Sequence, residues 1–254
     1  MKIIADLHTH TVASTHAFSS IGEMVEKARG LGYCAMAVTD HGLGMADAPH
    51  KWYFKNLLYL PDILDDDFLL LKGVEANVMD TAGTLDMPEN LLERMDWVVC
   101  SLHKYCVEPQ TENQVTRMWL NVAENPLVDM IGHPETDSYR FDYDKVTKAF
   151  AKNGKVVEMN AGSRKSRPGN EGNMRQLALC CKENGAKIAV NSDAHSIYRM
   201  DKLHPVLEML DEIGFPEKLV VNANPRRLLD ELALHGRGIS QRIKGSEFEK
   251  NLGI

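Results

Sequence analysis

Histidines in this sequence keep close company with carboxylates. His8 and His10 stand two apart in "DLHTH", and Asp193 and His195 two apart in "SDAH"; His16, His41, Glu75, His103 and His133 stand singly between them. Residues two apart on an extended chain project to the same side, so each pair can offer two donor atoms to one point. Imidazoles with a few carboxylates suit zinc, manganese or iron better than magnesium or calcium. One such pair in a chain with ten histidines is only a chance-level motif, and His16 alone could equally well hold a loop carbonyl. The weight lies in position, because seven of the ten histidines fall at or just after the ends of short apolar runs.

Those runs are Lys2 to Ala5, Ala35 to Val38, Phe68 to Leu71, Trp97 to Cys100, Val128 to Ile131, Val156 to Met159 and Lys187 to Val190. Most are continuous rather than alternating, which predicts strands buried on both faces. Helical patterns lie between most of them, at Ser20 to Leu31, Asn113 to Asn121, Asp144 to Lys152, Asn173 to Glu183 and Asp201 to Ile213. The alternation predicts parallel pairing through right-handed crossovers. In a parallel barrel, residues beyond the C-terminal strand ends converge on one mouth, where sequence-distant ligands meet. Gly42 to Asp67, with Pro49 and Pro61, breaks the rhythm and reads as a lid or an extra helix. Asn224 and Pro225 mark a further helix start, and the segment after Gly236 reads as polar and peripheral. With no internal repeat or linker, residues 1–254 read as one domain.

Composition narrows the function. No apolar run is long enough to span a membrane, and the first residues read as a strand rather than a signal peptide, so a cytoplasmic protein is expected. The five cysteines show no zinc-ribbon or thioredoxin spacing and are expected to be reduced. A net charge of −7 disfavours a nucleic-acid partner, which would require many phosphate-neutralising cations. The oligomeric state is left open.

The segments "DLHTHTVASTHAFS", "AVTDHG", "GVEANV", "SLHK", "IGHPE" and "NSDAHS" resemble, in order and spacing, the PHP (polymerase and histidinol phosphatase) family, most closely its YcdX-type phosphatase branch. The resemblance runs as far as "VNANPRRLLDEL" and implies an α/β fold, a distorted seven-stranded (β/α)7 TIM-like barrel. It also implies a trinuclear centre of divalent transition-metal ions (Zn, Mn or Fe). His8, His10, Glu75 and Asp193 resemble the ligands of one ion; Glu75 looks like the bridge to a second, also held by His103 and His133. His16, His41 and His195 look like the ligands of the third. Two carboxylates leave such a centre strongly cationic, so a small anionic phosphorylated substrate is expected. The implied activity is that of a metal-dependent phosphatase in which a hydroxide activated at His8, His10, Glu75 and Asp193 cleaves a phosphomonoester.

Around this set, Asp6 shares the strand face of His8 and His10 and is expected to orient a ligand imidazole through its other ring nitrogen. Asp40 is a weaker candidate, and Glu158 and Asn160 alternate along the sixth run toward the mouth. Arg167 and Arg164, with Lys165 between them, are expected to contact phosphate, although basic turns are often merely solvated. Their loop reads "SRPGN" where the branch carries a Ser-Arg-Lys run. His50, Trp52 and Phe54 read equally as a lid or a hydrophobic plug; His204 and His235 fall in helical or peripheral contexts and are expected to have no catalytic role. The alternatives are a histidinol-phosphate phosphatase or nuclease of the same family, an amidohydrolase, and a non-catalytic metal-binding domain.

Overall fold

The computed structural model describes residues 1–167 and 170–253. Seven parallel strands follow one another around a nearly closed barrel: β1 (Ala5–Thr9), β2 (Ala35–Val38), β4 (Phe68–Asn77), β5 (Trp97–Ser101), β6 (Met130–Ile131), β7 (Val156–Asn160) and β8 (Ile188–Asn191). A short β3 (Ile63–Leu64) pairs antiparallel with β4 through a turn in which Asp65 and Asp66 take positive φ, a conformation that Asp tolerates. The outer layer includes α1 (Ile21–Gly30), α2 (Lys51–Leu57), α3 (Glu89–Leu92), α4 (Glu112–Glu124), α5 (Tyr143–Lys152), α6 (Ser163–Ser166), α7 (Glu171–Asn184) and α8 (His204–Glu212). No helix among the described residues is long and apolar enough to cross a membrane.

Each of the seven parallel strands is buried along its whole length, as the continuous apolar runs predict. One face packs into the barrel interior through Ala5, Leu7, Ala35, Ala37, Leu69, Leu71, Trp97 and Val99. On the outer face, Cys100, Val157, Met159, Ile188 and Val190 meet Trp119, Phe150 and Leu177 from the helices. Two strands depart most from the predicted bounds. The first is Ala5–Thr9 rather than Lys2 to Ala5, and the third apolar run continues through Glu75 to Asn77. His8 and Glu75 therefore belong to strands, where polar residues are tolerated because they face the mouth.

A bulge in β1 sets the direction of its side chains. Asp6 pairs with Met36 and Thr9 with Val38, so three residues of β1 span what two span in β2. The extra residue resets the alternation. Ala5 and Leu7 contribute to the interior cluster, and His8 and His10 also face inward.

One side chain bridges the seam between β1 and β8, which direct bonds such as Leu7 N to Asn191 Oδ1 at 3.0 Å also join. Asn222 donates to Ala5 O at 2.9 Å and to Val190 O at 2.7 Å, and accepts from Val190 N at 3.1 Å. Its own carbonyl accepts from Ile4 N at 2.9 Å.

The segment after Gly236 is not peripheral. Beyond α9 (Pro225–Leu234), capped by Asn224 as the sequence signals, come α10 (Ile239–Arg242) and α11 (Glu247–Asn251). Ile239, Ile243 and Phe248 are fully buried and join Leu228 and Leu232 beneath the interior cluster, at the end away from the histidines. Arg237 is buried there too, bonded to Asp129 at 2.7 Å and to the carbonyls of Leu92 and Leu127. His235 lies 3.2 Å from Asp129, so it is a buried member of this network and not a surface group.

Candidate metal centre

The C-terminal strand ends and the loops that follow bring eight side chains together with Glu75. His8 Nε2 and His133 Nε2 lie 3.4 and 2.9 Å from Glu75 Oε1, and His103 Nε2 lies 3.7 Å from the same oxygen. The other oxygen, Oε2, lies 3.4 Å from His10 Nε2 and 3.2 Å from His41 Nε2. Asp193 Oδ1 is 3.2 Å from His10 Nε2 and 3.8 Å from His8 Nε2. His195 stacks on His10 with ring centroids 4.2 Å apart, and His16 packs against His195 at a tilt, 4.4 Å between centroids. His133 and Asp193 have φ of 32° and 50°, a conformation costly for residues with a Cβ and one that clusters at functional sites.

On five of the seven histidines the ring nitrogen turned away from Glu75 is pinned. His8 Nδ1 lies 2.8 Å from Glu158 Oε1, and a single oxygen of Asp47 takes both His16 Nδ1 at 2.8 Å and His41 Nδ1 at 2.9 Å. His195 Nδ1 lies 3.0 Å from the Asp193 carbonyl. His103 Nδ1 lies 2.7 Å from Asn77 Oδ1, while Asn77 Nδ2 donates to Asp86 at 2.6 Å. The amide orientation is thereby fixed, so His103 carries its proton on Nδ1 and turns the Nε2 lone pair inward. Both ring nitrogens of His10 and Nε2 of His8 are buried without a hydrogen-bond partner among the described residues.

Buried polar atoms without partners are costly in a folded chain. Here they converge on a carboxylate, with donor atoms of His8, His10 and Glu75, of His10, His41 and His195, and of His41, Glu75 and His103 each within 4.8 Å of one another. Nitrogen and carboxylate donors at this spacing fit divalent transition-metal ions.

Several expectations need correcting. Asp6 touches no imidazole; it accepts from His8 N and Ser192 N at 3.3 Å and from Ser192 Oγ at 2.5 Å. The β1 bulge turns it away from the His8 and His10 rings, and it ties β1 to the loop after β8. The partner expected of Asp6 is Glu158, whose carboxylate also accepts from His133 N at 2.8 Å, Asn160 Nδ2 at 3.0 Å and Asn191 Nδ2 at 2.9 Å. Asp40 braces the His10-to-His16 loop by accepting from Thr11 and Ser14. His50 caps α2, and Phe54 is core. Asp47 escaped sequence reading, since a lone acid in an irregular loop carries no spacing signal.

Arg167 lines the 490 Å³ cleft over the cluster, with Tyr105, Phe18 and Arg199. Its guanidinium lies 3.6 Å from Asp193 and 3.0 Å from Ser163 Oγ. Arg164 faces elsewhere, exposed and 3.9 Å from Glu171, because the short α6 turns it away from Arg167. The Lys165 side chain and residues 168–169 of "SRPGN" lie outside the described residues.

Crowding sets the protonation of the cluster. Burial and then the neighbours His195 and His41 hold His10 well below the usual imidazole range, and burial brings His103 down to about 3. Burial opposes charge on His41 as well, but hydrogen bonds to Asp47 and Glu75 outweigh it and raise its pKa to about 10. His8 is likewise raised against burial, by Glu158, Glu75 and Asp193. Burial would raise Glu75, but the imidazoles around it, His8 foremost, hold it well below its usual value.

Without a cation His8 and His41 are therefore protonated at neutral pH, and coordination must expel those protons. Zinc titrations at pH 7 in buffers of different ionisation enthalpy should show release of roughly two protons per chain. Apparent affinity should rise with pH up to the raised pKa values of His8 and His41. A heat of binding independent of the buffer would rule this out.

Fold and cluster together define a parallel α/β barrel with a histidine-rich, metal-binding type of site at its C-terminal mouth. The chain belongs to the PHP domain family, whose profile matches residues 6–162. A "probable phosphatase" of Acetivibrio thermocellus is 41% identical over 224 residues, covering 88% of this chain and 92% of that protein. One of Aeromonas hydrophila is 37% identical over 238 residues, covering 93% and 96%. The histidinol phosphate phosphatase of Lactococcus lactis, solved with zinc, L-histidinol and phosphate, superposes with a TM-score of 0.60 at 16% identity, over 84% of this chain and 94% of that one. At that identity the likeness speaks for the fold alone.

Proposed function

We propose that this chain is a metal-dependent phosphatase that cleaves a small phosphomonoester at a centre of three divalent ions. One ion is assigned to His8, His10, Glu75 and Asp193, a second to Glu75, His103 and His133, and a third to His16, His41 and His195. Residues 1–254 are read as one domain built around this centre. The observation that carries the reading is the set of inward-facing ring nitrogens around Glu75, of which Nε2 of His8 and Nε2 of His10 are buried without a hydrogen-bond partner among the described residues. The phosphatase relatives support the reaction type.

Divalent cations bound there supply the water activation and charge neutralisation that phosphate-ester hydrolysis demands. The chain's own residues prepare the site. Glu158, Asp47 and Asn77 fix the tautomers and ring planes of His8, His16, His41 and His103. Arg167, held over the cluster by Ser163 and Asp193, is set to pair with a phosphoryl oxygen. Hydrolysis of p-nitrophenyl phosphate is the direct test. Activity should disappear after chelation and return with zinc or manganese; folded, metal-loaded protein that hydrolyses no phosphomonoester would refute the proposal.

A further inference from the structure

A second cleft, of 430 Å³, adjoins the one over the histidine cluster. The two share Gly162 and Arg199 in their walls. The second is lined by Arg164, Arg199 and Lys202, with Tyr198 and Ser192, and among the described residues by no carboxylate. That is unexpected in a chain with 36 acidic and 29 basic residues.

The cations differ in what occupies them. Arg167, in the first cleft, already has Asp193 and Ser163 as neighbours. Lys202 lies 3.0 Å from Asp201, and Arg164 only loosely near Glu171 at 3.9 Å. Arg199 is half-buried, and its guanidinium has no hydrogen-bond or ion-pair partner among the described residues, although its planar fork suits carboxylate and phosphate oxygens. Its position at the boundary of both clefts lets it meet an anion at the far end of a molecule whose phosphoryl group lies over the histidines.

We infer that the second cleft is a subsite for another anionic group, a carboxylate or a phosphate, on the substrate's leaving group. Arg199 is its principal contact, assisted by Arg164 and Lys202. The inference rests on the phosphatase reading and narrows it to phosphomonoesters with two separated anionic groups. Arg199 is then a specificity-determining residue, and the acidic chain concentrates cations where a doubly anionic substrate must enter.

Competitive inhibition of p-nitrophenyl phosphate hydrolysis tests this with matched pairs. Glycerol 3-phosphate and 3-phosphoglycerate differ by a carboxylate, and fructose 6-phosphate and fructose 1,6-bisphosphate by a phosphate. Wild-type enzyme should bind the doubly anionic member of at least one pair about tenfold or more tightly, as a charged hydrogen bond allows. The pair that responds identifies the second anion. In Arg199→Ala that ratio should fall close to one, and Lys202→Ala should lower it less.

A wild-type ratio near one in both pairs would overturn the subsite. So would a ratio that survives Arg199→Ala, because direct chelation of bound ions would then explain it. Failure to hydrolyse p-nitrophenyl phosphate at all would overturn the phosphatase reading and this inference with it, so the two failures are distinguishable.

Discussion

Glu75→Gln should abolish phosphatase activity, by roughly 10³-fold or more, and deplete bound metal while leaving the protein folded. Both carboxylate oxygens are committed, Oε1 to His8, His103 and His133 and Oε2 to His10 and His41. A neutral amide of the same shape keeps one weak acceptor and presents an NH2 group toward imidazole nitrogens that must stay free for coordination. Several kcal/mol of charge stabilisation vanish with the carboxylate, and each 1.36 kcal/mol is about tenfold in rate. Metal content, turnover and thermal unfolding measured on one preparation would check this. A folded variant with full metal and wild-type turnover would show that Glu75 is not the hub.

Glu158→Gln should damage both stability and metal affinity. The carboxylate receives four donors: His8 Nδ1, Asn191 Nδ2, His133 N and Asn160 Nδ2. Glutamine retains one acceptor oxygen and turns an NH2 against the donors on the other side. Buried donors left unsatisfied cost about 1–3 kcal/mol each, so a loss of roughly 3 kcal/mol is expected in urea unfolding. Without an ionised partner, His8 also becomes a poorer ligand, and metal affinity should fall about 10- to 100-fold. Unchanged urea midpoint and metal affinity would remove Glu158 from the account.

Much of the barrel is legible in the sequence because its strands are buried on both faces, and continuous apolar runs survive any uncertainty about phase. Ala35–Val38 has the predicted bounds. Phase itself is not legible. Asp6 sits two residues from His8, and regular alternation would put it on the same face, but a one-residue bulge in β1 turns it onto Ser192. Nothing in "ADLHTH" announces that bulge, because it depends on pairing with β2.

Partners recruited from distant loops are hidden for the same reason. Asp47 bridges His16 and His41 only after the irregular segment before α2 folds over them, and Asn222 spans the barrel seam from a short helical turn. The tail did carry a signal. Ile239 and Ile243 are four apart, the spacing of one helix face, but the polar residues around them mask the plug they form with Phe248.

Elemental analysis of the purified protein, loaded with zinc or manganese and then desalted, tests the central claim most directly. The account expects about three ions per chain, as nine converging nitrogen and carboxylate donors imply. A folded protein that retains fewer than two would contradict it.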